Sequence, residues 1–220
     1  MNRIVKLFLL GILAGFAIGL GGLGYLCCLA LGQKILGSFV FSFGLLTVCG
    51  AGLFLYTGKI GYAFVKEGPK PLDLLVGYIG NLLGAASLGA ALLAIPSLKG
   101  TAIAQNAYYL AKGRDVLSSS GETWYGALLL SILCGILVFI AVDMFKRKPG
   151  AIGTLCLIGA VAVFVMAGFE HCIANMFYYT FGNNWTWGVV LNIVITTIGN
   201  TLGAWITYVI THFAIDKLKE

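Results

Sequence analysis

Charged residues are scarce in this chain. Asp, Glu, Lys and Arg make up 10% of its 220 residues, whereas 60% are hydrophobic and the mean hydropathy is +0.97. A soluble domain carries roughly a quarter charged residues, so this balance excludes a soluble monomer and indicates a polytopic membrane protein. The net charge of +6 does not indicate a nucleic-acid partner, because the basic residues lie in short loops between apolar runs, where they act as topology signals.

Several chemical signatures are also missing. The six cysteines show no CxxC spacing and lie inside apolar segments, which favours helix packing over a disulfide framework or a metal site. Only His171 and His212 are available as histidines, and a haem-binding membrane subunit needs axial pairs on facing helices. No nucleotide-binding motif or soluble catalytic domain appears. The sequence therefore predicts no enzyme activity, no cofactor and no metal.

Six apolar runs are long enough to cross a bilayer as helices, which takes roughly 20 residues each. They cover about 7–31, 35–65, 72–98, 123–145, 150–182 and 185–214. The first run exceeds a signal-peptide core and no convincing cleavage site follows it, so it is predicted to be a transmembrane helix.

Six spans place both termini on one side of the membrane. Basic residues are more numerous on that side, with nine there (Arg3, Lys6, Lys66, Lys70, Lys146, Arg147, Lys148, Lys217, Lys219) and four opposite (Lys34, Lys99, Lys112, Arg114). The positive-inside rule then predicts that both termini are cytoplasmic.

Two of the runs, 35–65 and 150–182, are longer than a span requires, and each is interrupted. The interruptions read "CGAGLFLYTGKIGY" (49–62) and "AGFEHCIANMFYY" (167–179). Each run is predicted to be two half-helices joined by non-helical backbone, which is tolerated at membrane depth only where it lines a cavity or is buried in protein. Glu170 and His171 lie side by side in the second interruption, and ionisable residues at that depth mark a functional site by default.

A short motif occurs twice. "YIGNLLGAASLG" (78–89) and "TIGNTLGAWITY" (197–208) share I-G-N-x-L-G-A, and each copy follows one broken run. The chain, predicted to be a single transmembrane domain over 1–220, therefore divides into repeats of about 1–98 and 123–214. Because three spans per repeat is an odd number, the second repeat has the opposite orientation in the membrane. Inverted repeats with broken helices indicate a permeation site where the two breaks meet, here at Thr57, Glu170 and His171.

These segments resemble the formate/nitrite transporter family. The resemblance covers the whole chain in order and is carried by "LYTG" (55–58), "GNLLGA" (80–85), "GFEHCIANMF" (168–177), "IGNTLGA" (198–204) and, more weakly, "LCGILVFIAV" (133–142). It implies an all-α, aquaporin-like protomer with six transmembrane helices as a 3+3 inverted repeat, helices 2 and 5 being broken. It also implies a homopentamer in a prokaryotic cytoplasmic (inner) membrane, with one pore in each protomer.

The implied substrates are small monovalent weak acids, formate or nitrite by default, with hydrosulfide, lactate or acetate as alternatives. The resemblance implies that His171 is the central pore histidine and that Thr57 meets it. It further implies two constrictions and a polar lining: an inner constriction of Leu45, Leu55 and Phe164, an outer one of Phe41 and Tyr56, and lining asparagines Asn81 and Asn200.

The sequence departs from the family pattern at three places. Gly135 follows Cys134 where the family usually has Asn, so part of the polar lining is missing. Many members have a lysine in the outer vestibule before this helix, and here the nearest basic residues are Lys112 and Arg114. Lys59 stands where many members have Asn. It either supplies part of the missing positive potential or snorkels to the membrane interface.

The chemistry favours a weak acid as the transported species. A free anion crossing apolar constrictions has a large desolvation penalty, which the neutral acid avoids. Imidazole titrates near neutral pH, so His171 is the candidate for proton coupling, with protons and membrane lipid as further partners. Alternatively, Thr57 and His171 only close the helix breaks. Glu170 is predicted to be structural at its break. A neutral-solute channel and a haem- or quinone-binding membrane subunit are the alternatives from other classes.

Overall fold

The computed structural model describes residues 2–212 and residue 214. Lys217 and Lys219, two of the basic residues counted at the C-terminus, lie outside the described residues. Every regular element in the described part of the chain is helical. The α-helices there are α1 (Arg3–Ala30), α2 (Lys34–Gly50), α3 (Tyr56–Lys59), α4 (Pro71–Ala94), α5 (Ala102–Gly113), α6 (Trp124–Arg147), α7 (Ala151–Met166), α8 (Cys172–Phe181) and α9 (Trp187–Thr211).

The helices form six spans, of which the second and the fifth are broken. Four helices, α1, α4, α6 and α9, are long and apolar enough to cross a membrane by themselves. Helices α2 and α7 are shorter, with 17 and 16 residues, and each is continued after a break by a half-helix, α3 or α8. This is the all-α, 3+3 inverted-repeat architecture that the sequence predicts.

Each break begins at a glycine in the left-handed region. Gly52 has φ +66° and Gly168 has φ +77°, a conformation that carries little penalty for glycine and ends helices in Schellman motifs. The following N–H then bonds back into the helix: Leu53 donates to the Val48 carbonyl and Phe169 to the Phe164 carbonyl, both at 2.9 Å. Two glycines therefore terminate α2 and α7 at 17 and 16 residues, which is shorter than the roughly 20 residues of a full span.

Close helix crossings assemble each half. Helix α1 packs along α4, and α6 packs along α9. Gly15 and Gly135 lie at matching places in these crossings, against the backbones of Asn81 and Asn200. A Cβ added at Gly135 would overlap the Asn200 backbone. Glycine at 135 is therefore a packing residue here, since small residues let membrane helices approach closely.

The outer surface of the described chain is apolar along the long helices. Leu13 on α1, Leu129 on α6 and Ile198 on α9 are all more than half exposed. Such surfaces are stable against lipid or a neighbouring protomer, as expected for an integral membrane protein. All six cysteines are free thiols.

Candidate functional site

The two breaks meet in the centre of the protein. Thr57, in α3, and His171, at the start of α8, place Oγ1 and Nε2 2.9 Å apart. Both residues are almost completely buried, with exposed fractions of 1% and 3%. The contact joins residues 114 positions apart in sequence, one from each repeat. The structure thus brings together the two side chains that the sequence places at the pore centre.

His171 is also the N-cap residue of α8. Its Nδ1 accepts a hydrogen bond from the Ala174 N–H at 3.2 Å. In a neutral imidazole one nitrogen accepts and the other donates, so this cap assigns the proton to Nε2, which donates to Thr57 Oγ1. The hydrogen of the Thr57 hydroxyl is then left to donate elsewhere. Capping the break and contacting Thr57 are therefore simultaneous roles of one ring.

Asn81 closes the first break. Its Oδ1 accepts from the Tyr56 N–H at 2.8 Å, and its Nδ2 donates to the carbonyls of Phe54 at 2.8 Å and Gly11 at 2.9 Å. Non-helical backbone leaves polar groups that must find partners inside a membrane. Asn81 provides those partners on both sides of Leu55.

Asn200 closes the second break in the same way. Its Oδ1 accepts from the Cys172 N–H at 3.0 Å, and its Nδ2 donates to the carbonyls of Glu170 and Ser131, both at 2.8 Å. Both asparagines were expected to line the pore as polar groups. The structure instead engages their amides with backbone at the breaks, and neither residue lines the cavities described below.

A cavity of about 140 Å³ lies next to His171, on the side of the protein that carries Lys34 and Arg114. We call it the far-side vestibule. Phe41, Phe164 and His171 are among its lining residues. The Phe164 ring stacks on His171 with centroids 6.0 Å apart, and it contacts Phe41 edge-on at 5.7 Å. Two aromatic rings therefore lie beside His171 in the wall of this vestibule.

A second cavity, of about 220 Å³, lies on the side that carries Arg3 and Lys146, and we call it the N-side vestibule. Leu45 and Leu55 line it together with Gly58, the neighbour of Thr57. The predicted inner pair of leucines is therefore found together, in a cavity that Gly58 also lines.

Two predicted constriction residues lie elsewhere. Phe164 was expected beside Leu45 and Leu55, but it lines the far-side vestibule with Phe41, because α7 ends at Met166 and directs this ring over His171. Tyr56 was expected in the outer constriction. It lines neither vestibule, because its hydroxyl hydrogen-bonds the Thr201 hydroxyl at 2.9 Å and turns its side chain towards α9.

Arg114 brings a mostly buried cation to the far-side vestibule, with 14% of its side chain exposed. Its Nε lies 3.9 Å from Glu170 Oε2, and its guanidinium lies 5.3 Å from the centre of the Tyr178 ring. Its Nη1 is buried without a hydrogen-bond partner. From the sequence, Arg114 is only one of the two basic residues nearest to the place where many family members have a vestibule lysine. The segment that carries it contains no repeat or motif from which its position in the fold could be predicted.

Glu170 belongs to a buried polar network. Its Oε2 accepts from Asn175 at 2.9 Å and from Asn192 at 3.0 Å, and the Tyr179 hydroxyl donates to Asn192 Oδ1 at 2.6 Å. Sequence reasoning missed Asn175 and Asn192, although Asn175 lies inside "GFEHCIANMF" and its place in that motif was the available signal. The Glu170 carboxylate is therefore hydrogen-bonded within this network and takes no part in the Thr57–His171 contact.

Lys59 lies in the N-side vestibule, together with Lys146. It therefore cannot replace a missing cation on the opposite side, as one interpretation of the sequence held. Among the described residues, no group of three His, Cys, Asp or Glu side chains is arranged to hold a metal ion.

Comparison with known proteins agrees with these features. A family model described as formate/nitrite transporter matches residues 1–214. The formate channel FocA of Haemophilus influenzae is 31% identical over 160 residues, covering 68% of this chain and 54% of that protein. The formate channel FocA of Escherichia coli K12 is 31% identical over 196 residues, covering 81% and 66% respectively. The chain thus matches between about half and two thirds of the length of these curated relatives.

A solved structure described as a pentameric formate channel with formate bound superposes with a TM-score of 0.78 at 27% identity. The superposition covers 98% of this chain and 97% of that chain.

Proposed function

The chain belongs to the formate/nitrite transporter family, and on that premise we propose that it is a channel or transporter for small monovalent weak-acid anions of the formate or nitrite type. We propose further that it works as a homopentamer with a pore in each protomer, in a prokaryotic cytoplasmic membrane with both termini in the cytoplasm. The relatives named as formate channels and the pentameric formate-bound structure support this proposal.

The observation that carries the proposal is the contact between Thr57 and His171 at 2.9 Å, buried between two vestibules. In this proposal Phe41 and Phe164 narrow the path on the far side and Leu45 and Leu55 narrow it on the N-side, which the lining of the two vestibules by these residues supports. A formate-sized anion would have to shed its water between these apolar side chains. That penalty is several kcal/mol for an unpaired charge, so crossing is favoured for the neutral acid.

Arg114 would concentrate the anion on the far side. A buried cation at the wall of a narrow cleft raises the local concentration of anions, because low-dielectric walls focus its field. The unpartnered Nη1 of Arg114 is a donor that a carboxylate or nitrite oxygen can use.

The Thr57–His171 pair would then stabilise the acid in the narrow part. With Nδ1 accepting from Ala174 N–H, the neutral imidazole donates through Nε2 to Thr57. Loss of the Nε2 proton would leave an imidazolate, so the pair polarises the substrate through the Thr57 hydroxyl and does not release a proton itself. The proton that neutralises the anion comes from the aqueous vestibule, which makes transport proton-coupled.

A proteoliposome assay with formate, nitrite, hydrosulfide and lactate at several pH values tests this function, with glycerol as the neutral solute. We expect weak-acid flux that rises as the pH falls, little glycerol flux, and strong reduction in His171→Asn, which removes the ring that contacts Thr57. Unchanged transport of every acid in that variant, or glycerol flux as fast as that of formate, would contradict the proposal.

A further inference from the structure

The N-side vestibule is a pocket with apolar walls and two ammonium groups. Its walls include Leu45, Val48 and Val142, and Gly58, the neighbour of Thr57, also lines it. Lys59 and Lys146 complete the lining. The vestibule opens into a wider cavity of about 500 Å³, which the same two lysines also line. Both ammonium groups therefore lie in the walls of the two cavities on this side of the Thr57–His171 contact.

Both lysines are held by aromatic rings rather than by carboxylates. The Nζ of Lys146 lies 3.8 Å from the centre of the Tyr62 ring, and the Nζ of Lys59 lies 6.0 Å from the centre of the Phe54 ring. In residues 2–212 and 214, neither ammonium group forms an ion pair with a carboxylate. Cation–π contacts orient an ammonium group but leave its full charge available.

The nearby carboxylates are already engaged. Asp143 accepts from the Tyr62 hydroxyl at 2.8 Å and pairs with Arg147 at 2.7 Å. Asp73 in the wider cavity pairs with Arg3. Glu67 also lines the wider cavity, but it does not line the vestibule itself. The narrow part of this entrance is therefore positive.

The position of Lys59 argues against a lysine that snorkels to the lipid interface. The residue is only partly exposed, and it lines two connected cavities that lead to the pore. Two ammonium groups without a carboxylate ion pair, in a cleft with apolar walls, attract small anions and raise their local concentration.

We propose that Lys59 and Lys146 form an anion-collecting site that loads the pore from the N-side. The site takes the same small monovalent anions as the proposed function, on which this inference rests. With Arg114 on the far side, the pore has a cation at each entrance, so anions are loaded from both directions. The two sites are independent, because they lie on opposite sides of the Thr57–His171 contact.

Directional flux in membrane vesicles tests this site. Right-side-out and inside-out vesicles from cells lacking other weak-acid channels, carrying equal amounts of protein, give formate uptake from each side. The variants are Lys59→Asn, which introduces the residue of many relatives, Lys146→Gln and the double substitution. Lys148→Gln is the matched control, because it removes the same charge at the same end without lining the N-side vestibule.

For the double variant we expect the KM for uptake from the N-side to rise about tenfold at low ionic strength. Maximal flux from that side and the KM from the far side should remain within twofold. Added salt should raise the wild-type KM towards that of the variant, because salt screens exposed charges.

An unchanged N-side KM in the double variant, or an equal rise in Lys148→Gln, would overturn the site while leaving the proposed function intact. A wild-type chain without weak-acid flux in either direction would overturn both. Equal rises in KM from both directions would show a general effect on the pore, which also contradicts a site confined to one side.

Discussion

Leu55 and His171 occupy equivalent positions in the two halves of the protein. Each is the residue that an asparagine amide brackets, Asn81 between the Phe54 carbonyl and the Tyr56 N–H, and Asn200 between the Glu170 carbonyl and the Cys172 N–H. One repeat therefore presents a leucine where the other presents an imidazole. The inverted repeat builds one framework twice and places an apolar side chain in one copy and an imidazole in the other.

Removing either amide should destabilise the protein without touching the vestibules. Asn81→Ala leaves the Tyr56 N–H and two carbonyls without their partner, and each buried unpaired group costs about 1–3 kcal/mol. We expect a lower midpoint of thermal unfolding in detergent for Asn81→Ala and Asn200→Ala. Ser87→Ala on the same helix α4 is the control, because Ser87 bonds only the Gly84 carbonyl. Equal midpoints for Asn81→Ala and Ser87→Ala would contradict the bracketing role.

Gly135→Ala should weaken the crossing of α6 and α9. The new methyl group would overlap the Asn200 backbone, and overpacking of this kind costs about 1–3 kcal/mol. Gly159→Ala in α7 is the matched control, because a Cβ there meets no atom within 4 Å and alanine is the better helix former. The measurement is the thermal midpoint of each variant in the same detergent. If Gly135→Ala were as stable as Gly159→Ala, the crossing would be looser than described.

The two roles of His171 can be separated by substitution. Asparagine is a favourable N-cap residue and alanine is not, with a difference of about 1 kcal/mol. We expect His171→Asn to keep the stability of the wild type and lose weak-acid transport, whereas His171→Ala loses both. Thermal midpoints and formate flux on the same preparations measure the two effects. Equal stability of the two variants would show that the hydrogen bond from the Ala174 N–H to the side chain at position 171 contributes little to stability.

The Thr57 hydroxyl should be needed for transport. Thr57→Val keeps the shape of the side chain but removes the acceptor of the His171 Nε2–H and the donor proposed for the substrate. We expect formate flux to fall by at least about tenfold, equivalent to about 1.4 kcal/mol. Thr57→Ser keeps the hydroxyl and should retain most of the flux. Similar flux in the valine and serine variants would remove the hydroxyl from the mechanism.

Arg114→Gln should raise the KM for uptake from the far side, because it removes the cation beside the far-side vestibule. The substitution also leaves the buried Glu170 without its charged neighbour. Arg114→Lys keeps the charge and should stay close to the wild type in KM. Uptake measured from the far side and from the N-side distinguishes the two effects, since a loss of folded protein would lower maximal flux from both sides equally.

Much of the architecture could be predicted from local sequence properties. Apolar runs of sufficient length predict membrane spans, because each backbone group in lipid must bond within its own helix. Two overlong runs with "TGKIG" and "GFEH" inside them predict broken helices, and the repeated I-G-N-x-L-G-A motif predicts two inverted halves. Gly52 and Gly168 then end α2 and α7 inside those runs. The broken second and fifth spans and the meeting of Thr57 with His171 follow from these patterns.

The partners of individual side chains could not be predicted in this way. From the sequence, Asn81 and Asn200 are predicted to line the pore, but in the structure their side-chain amides hydrogen-bond to backbone groups. Hydropathy does not distinguish a side chain that faces lipid from one that faces another helix, so the rotation of Phe164 towards His171 was also missed. The motif residue Asn175 and Asn192, which lies outside the motifs, join Glu170 only because α8 and α9 bring them together.

The sequence by itself determined the membrane class, the six spans, the two breaks and the family, because these depend on composition and on short contiguous motifs. Only the tertiary structure decided which side of the pore holds Lys59, which vestibule Phe164 lines and which loop cation reaches Glu170. Those outcomes depend on how helices cross and rotate against one another. Crossing and rotation are set by contacts between residues far apart in the chain, such as Gly135 with Asn200.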